Sequence, residues 1–275
     1  MTIGGMSDTH DILVEESLQK EVDVLCIPGD FSPLRLQRAI SHKEANGTMK
    51  QWIRKTFIPW LLQQPAHNII VTPGNHDFVT ECEWFPDWIK QTLHEEHADD
   101  RIHYLCNEIG TIAGVSFWGC PYSDLPNWAW YSKHDVNSYI PPTPVDVMLV
   151  HAAPQWESIG VTFTRFSGLN DFGSPVLTNA LAIMPQLPKL LLCGHIHGGN
   201  HAPFVYGSPE TGECLMLNVA IKDEDYMEHY HPAIINFNKT PDGMTTAINV
   251  ERWLFGHLED TNLSIIHTAP LKTKD

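Results

Sequence analysis

Five short polar motifs, each placed directly after an apolar run, constrain this chain more than anything else in it. Asp8-Thr9-His10 follows residues 2–7, and Gly29-Asp30 follows the run from Val22 to Ile27. Gly74-Asn75-His76-Asp77 follows His67 to Thr72, His151 follows Val145 to Val150, and Gly194-His195-Ile196-His197 follows Lys189 to Cys193. Short apolar runs bounded by glycine and proline read as buried strands. Loops at the carboxyl ends of such strands are where α/β sheets collect ligands and reactive groups. The chain is therefore expected to bring several strand ends together around one polar site.

The rest of the chain fits that expectation. Residues 11–20 have a helical pattern, so residues 1–30 read as strand, helix, strand, although two glycines weaken the first strand. Residues 34–64 read as helical, with an amphipathic stretch from Met49 to Leu62 cut by Pro59. A further helix is expected over 84–97. From Arg101 the period shortens, and 102–105, 108–112 and 115–119 read as antiparallel strands joined by tight turns. An aromatic-rich loop covers 121–131, and a helix is expected over 175–187. Strands follow at 204–206, 213–219, 233–237 and 245–253. No repeat or linker interrupts the pattern. It predicts one domain over 1–255, built as two sheets packed together with helices outside, and an arm or tail over 256–275.

Composition excludes several classes. With 43% apolar residues the chain is globular rather than disordered. No apolar run approaches the ~20 residues of a membrane span, and the N-terminus does not read as a signal peptide. A cytoplasmic protein with no membrane partner is expected. The six cysteines form no Cys-x-x-Cys pair and are expected to be reduced thiols. A net charge of -16 repels duplex nucleic acid, and no lysine or arginine stripe offsets it.

The motifs supply seven candidate metal ligands: Asp8, His10, Asp30, Asn75, His151, His195 and His197. All are oxygen or imidazole donors. That mixture suits Mn, Fe, Zn, Co or Ni better than Ca or Mg, and the lack of thiolates argues against a structural zinc cage. Asp8/His10 and His195/His197 are spaced i, i+2, which aims two side chains at one side of an extended segment. Asp30 has two oxygens and can bridge two cations, and Asn75 offers a neutral carbonyl. Each motif alone is common and usually structural; their joint order is what points to a site. His42, His67, His201, His229 and His231 are expected to be structural or surface residues, with His201 the closest to a motif.

The order DxH, GD, GNHD, H, GHxH, running from Asp8 to His197, resembles the calcineurin-like metallophosphoesterase superfamily. Gly119-Cys120-Pro121, Asn127 to Trp130, Ala152-Ala153-Pro154 and Gly194 to Gly199 are similar to its MPPED-type branch, which is related to class III cyclic-nucleotide phosphodiesterases. The resemblance implies an α/β fold, a four-layer αββα sandwich of two mixed sheets, with two divalent ions (Mn, Fe, Zn or Ni) at the strand ends. Asp8, His10 and His197 would hold the first ion, Asn75, His151 and His195 the second, and Asp30 would bridge. His76 would act as the catalytic acid and Asp77 would orient its ring. A hydroxide bridging the ions would attack phosphorus in line. The implied substrate is a small phosphodiester, cyclic nucleotides among them, or a phosphomonoester. Tyr122 and Trp128 are candidate substrate-binding residues, and choice of substrate is assigned to residues 31–66 and 120–131. The protein-phosphatase signature GDxVDRG is absent, since Gly29-Asp30 continues as Phe31-Ser32-Pro33-Leu34-Arg35. Two other readings share the fold: a metal-binding scaffold without catalysis, and a nuclease specific for single strands.

Overall fold

The strand weakened by glycines forms, and it lies in the middle of a sheet. In the computed structural model β1 (Thr2–Gly5) pairs parallel with β2 (Val22–Pro28), which pairs parallel with β3 (Ala66–Thr72) and that with β4 (Ile102–Tyr104). Two neighbours saturate the backbone of β1, so its thin side chains cost it little. At Gly5 the absence of a side chain is needed: a Cβ there would lie 2.9 Å from Cγ1 of Val219 on the facing sheet. The structure describes residues 1–10, 13, 18, 20–37, 43–155, 159–164, 168–208, 212–227, 230–239, 245–254 and 257–263. The helix expected over 11–20 falls mostly outside these residues, as do His42 and His229.

The second sheet is built from β5 (Glu108–Ile112), β6 (Val115–Cys120), β7 (Val147–Val150), β10 (Leu190–Cys193), β11 (Phe204–Ser208) and β12 (Gly212–Asn218), in the order β11-β12-β10-β7-β6-β5. A separate hairpin, β8 (Val161–Thr164) with β9 (Gly168–Asp171), precedes β10. The chain then returns to the first sheet with β13 (Ala233–Lys239), β14 (Thr245–Leu254) and β15 (His257–Leu263), giving the order β15-β14-β13-β1-β2-β3-β4. No strand was anticipated at β15, where the sequence lacks a clear pattern.

The side-chain alternation explains the layers. Val24 and Cys26 of β2, Val147 and Leu149 of β7, and Leu190 and Leu192 of β10 share the core between the two sheets. Leu25 and Ile27 of β2 face a second core with helices α1 (Lys43–Trp52), α2 (Ile58–Gln63) and α3 (Phe85–Glu95). Met148, Val150, Leu191 and Cys193 face a third core with α4 (Pro175–Ile183). Strands buried on both faces read as unbroken apolar runs, and each buried Val or Leu contributes about 1.5–3 kcal/mol. The result is a four-layer αββα sandwich.

Three expectations are corrected. Ile102–Tyr104 does not pair with the hairpin that follows it; β4 closes the edge of the first sheet, and only β5 and β6 form the antiparallel pair. A period-2 pattern cannot tell which sheet a strand joins. Pro59 does not cut its helix, because a π-helical turn over Ile53–Phe57 precedes it and Ile58 N–H donates to Ile53 O. The wider turn leaves room for a ring that an α-helical turn would exclude. The helix expected to reach Leu187 ends at Ile183. All six cysteines are free. Among the described residues no helix is long and apolar enough to cross a membrane.

Candidate metal centre

Five strands end at the same place. Asp8 and His10 follow β1, Asp30 follows β2, Asn75 and His76 follow β3, His151 follows β7, and His195 and His197 follow β10. The i, i+2 pairs are not carried on extended backbone. Asp8, His10, Asp30 and His195 all adopt positive φ, at 58°, 46°, 57° and 69°. Left-handed backbone costs a non-glycine residue about 1–3 kcal/mol and persists only where the surroundings enforce it. Here the chain turns sharply at the ends of β1, β2 and β10, so the donors they carry converge through tight turns. Gly29 adopts φ 99° beside them, and a Cβ on it would lie 2.3 Å from Nδ1 of His151.

The donors fall into groups with ligating atoms within 4.8 Å of one another: Asp8, His10 and His197; Asp30, His151 and His195; and, between them, His10, Asp30 and His76. Asp30 Oδ2 lies 3.4 Å from His151 Nε2, 3.7 Å from His10 Nε2 and 3.8 Å from His76 Nε2. Asn75 Oδ1 lies 2.7 Å from His151 Nε2. All seven candidate residues are thus brought together, with Asp30 near both His10 and His151.

The outer contacts fix which nitrogens face inward. His151 Nδ1–H donates to Pro28 O at 3.0 Å, and His197 Nδ1–H donates to Asp223 O at 3.0 Å. Each Nε2 is thereby turned toward the site, the usual arrangement for imidazole ligands. Among the described residues, neither ring nitrogen of the buried His10 has a hydrogen-bond partner, nor does Nδ2 of Asn75. Orphaned buried donors and acceptors are costly unless something meets them. The donor chemistry fits cations that would be held by imidazole and carboxylate, with Asp30 within reach of donors on either side.

Electrostatics agree with that use. Burial raises the Asp8 carboxyl, but the hydrogen bond and charge of His197 outweigh it and hold it at about 2. Burial also opposes ionisation of Asp30, yet His151 and His76 keep it well below the ordinary carboxylate value. Burial pushes His10 down to about 3, against the pull of Asp30 and Asp8. Burial and the charge of His151 lower His195 to about 3. His10 and His195 are therefore neutral, the form that ligates a metal. Burial lowers His151 as well, but the charge and hydrogen bond of neighbouring Asp30 outweigh it and lift it to about 9.

Asp77 is the main correction at the site. It was expected to orient His76. Its carboxylate instead accepts the backbone N–H groups of Gly74 at 2.7 Å, Ser32 at 2.8 Å and Asp30 at 2.9 Å. It is a clamp joining two motif loops. Burial and the charge of Asp30 push it up to about 7, against hydrogen bonds from Ser32 and Gly74. The partner of the His76 ring is Gln37, whose Oε1 meets Nδ1. Nothing in the sequence singles out a lone glutamine in a polar loop.

The two aromatic candidates separate. Tyr122 packs edge-on against Trp130 and Tyr139 and receives a hydrogen bond from Asn107 Nδ2 at 3.3 Å, so it belongs to the outer core. Trp128 faces the site, with its ring 4.4 Å from that of His76. Its loop is anchored by Ala129 N–H to Asn75 O at 3.2 Å and by Trp130 Nε1–H to Thr80 Oγ1 at 2.7 Å. Tyr226 also packs on the site, its ring 5.1 Å from that of His10 and 5.0 Å from that of His197. The turn that carries Tyr226 starts at Asp223, the residue that orients His197. No motif marks Tyr226 in the sequence. His201 lies behind the ligands, its ring nitrogens against the carbonyls of Asn218 and His197.

Comparison with known proteins agrees with this geometry. The sequence model of the family described as calcineurin-like phosphoesterase matches residues 1–199. The chain is similar to metallophosphoesterase domain-containing protein 1 of Homo sapiens and of Mus musculus, each 24% identical over 255 residues, covering 84% of this chain and 69% of the relative. It is also similar to a probable rhamnogalacturonate lyase C of Emericella nidulans, 25% identical over 209 residues, which cover 70% of this chain but 17% of that protein.

Proposed function

The chain belongs to the calcineurin-like phosphoesterase family, and from that premise we propose that it hydrolyses small phosphodiesters with two divalent metal ions. One observation carries the proposal. Two sets of three donors converge with Asp30 close to both, and the buried nitrogens of His10 have no hydrogen-bond partner among the described residues. When bound, a pair of cations at such a site supplies Lewis acidity, acidifies water and neutralises phosphate oxygens.

The chain's own residues do the rest. Asp30 and Asp8 fix the imidazoles around them and are themselves ionised. His76 reaches the same space, with Nε2 3.8 Å from Asp30 Oδ2. Protonated at Nε2, it can deliver that proton to the leaving oxygen, a contribution of about 10²–10⁴-fold. Trp128 packs beside His76 and Tyr226 beside His10, and the two rings give apolar surface for the organic groups of a diester. A net charge of -16 favours a small substrate over a polyanion.

The test is hydrolysis of bis-p-nitrophenyl phosphate and p-nitrophenyl phosphate after loading with manganese, alongside metal analysis. Two metal ions per chain with faster turnover of the diester are expected. Metal bound without turnover of either would leave a non-catalytic scaffold, and faster cleavage of a single-stranded oligonucleotide would leave a nuclease.

A further inference from the structure

We propose that Gln37 is the positioning residue for His76, fixing its tautomer and aiming Nε2 at the reacting phosphoester; this rests on the assignment of His76 as proton donor. An amide oxygen can only accept a hydrogen bond. With Gln37 Oε1 against Nδ1, the His76 proton on that side is committed to Nδ1. Nε2 is then the nitrogen that faces Asp30 Oδ2 and the site, so the protonated ring gives up its Nε2 proton and keeps the one on Nδ1. The same ring is held edge-on by His10, with centroids 4.6 Å apart at 71°, and covered by Trp128. Its backbone is fixed too, because His76 N–H donates to Asp30 Oδ1 at 2.8 Å. A ring gripped on its faces can still flip about its own axis, which would exchange Nδ1 for carbon. The hydrogen bond to Gln37 is the contact that distinguishes the two orientations.

Gln37 is held firmly enough to do this. It closes a turn in which its own N–H donates to Pro33 O at 3.0 Å and Leu36 N–H to the same oxygen at 2.8 Å. The entrance to that turn is tied to the GNHD loop through Ser32 N–H and Asp77. Leu36 packs on the core beneath the first sheet. Asp77 thus acts at one remove: it fixes the loop that presents Gln37, and Gln37 fixes the ring. Anchoring by a neutral amide adds no further negative charge beside Asp30 and Asp8.

The experiment compares wild type, Gln37→Leu and Gln37→Glu as zinc-loaded proteins. Imidazole ¹⁵N–¹H correlation spectra of the neutral His76 ring should place its proton on Nδ1 in wild type and in Gln37→Glu. In Gln37→Leu they should show both tautomers. On phosphodiesters, Gln37→Leu should lower kcat about tenfold or more for an alkoxide leaving group, within the range of proton donation. It should change kcat less than about twofold for p-nitrophenolate, which leaves without a proton, with KM unchanged. Gln37→Glu should restore the alkoxide rate. An unchanged neutral tautomer of His76 in Gln37→Leu, or a neutral wild-type ring with its proton on Nε2 alone, would overturn the proposal. So would an equal fall with both leaving groups that Gln37→Glu fails to rescue. If no phosphoester is turned over even by wild type, the assigned function fails while the tautomer spectra still decide the role of Gln37.

Discussion

The site has a floor and a rim, and the two are built differently. The floor consists of Asp8, His10, Asp30, Asn75, His151, His195 and His197; six are buried, and only His195 is partly exposed. Each sits within a few residues of a strand end, and four hold left-handed backbone. The rim consists of Gln37 and Trp128, which are partly exposed, and Tyr226, which is exposed, all on loops. Floor residues are fixed by the backbone of two sheets, so their positions follow from the fold itself. Rim residues are fixed by a handful of loop hydrogen bonds, so their positions follow from the path of each loop. The difference teaches that one scaffold can keep its chemistry while its walls, and with them its substrates, change.

Substitutions can break or sharpen that contrast. The largest effect is expected from Asp30→Asn, which removes the bridging charge. Metal content should fall below two ions per chain, and activity should fall by more than the roughly 10–100-fold typical of losing an outer partner of a ligand. Retention of both ions, measured by elemental analysis, would break the division, since the floor would then tolerate what only the rim should. Asp77→Ala comes next. It leaves three buried N–H groups without their acceptor, each costing about 1–3 kcal/mol, so urea unfolding should report a loss of a few kcal/mol. A loss within about 0.5 kcal/mol, ordinary for a surface position, would mean that Asp77 does not clamp the loops.

Rim substitutions should be smaller and selective. Trp128→Ala should weaken aryl phosphodiesters by about 1–3 kcal/mol of stacking, seen as a raised KM, with metal content and melting temperature unchanged. An equal loss with alkyl diesters would show that Trp128 props up His76 rather than the substrate. The smallest effect is expected from Tyr226→Phe. It keeps the wall and removes only a hydroxyl, worth about 0.5–1.5 kcal/mol, so kcat/KM should change no more than about tenfold. A loss of one metal ion in that variant would move Tyr226 from the rim to the floor.

The fold and the floor were legible for a physical reason. A strand buried on both faces must be an apolar run, and a polar motif directly after one must lie at a strand end. Val22 to Ile27 followed by Gly29-Asp30 carries that message in nine residues. The path of the chain between sheets was less legible. Residues 102–119 alternate in one continuous pattern, yet β4 joins one sheet and β5 the other. Alternation encodes facing, not partnership. Asp77 misled for a similar cause: its neighbour in the chain is His76, but its neighbours in space are the N–H groups of Asp30, Ser32 and Gly74.

By itself the sequence determined the chemical inventory of the site and its delivery by strand ends, because both follow from local periodicity and from residues adjacent in the chain. It also determined that the donors are imidazole and oxygen, and hence which cations they suit. Only the tertiary structure decided how the inventory is used. Gln37 reaches His76 from 39 residues away, and Tyr226 reaches His10 from the far end of the chain. Such contacts have no period and no adjacent partner in the sequence. They exist because two sheets pack face to face and bring unrelated loops over the same strand ends.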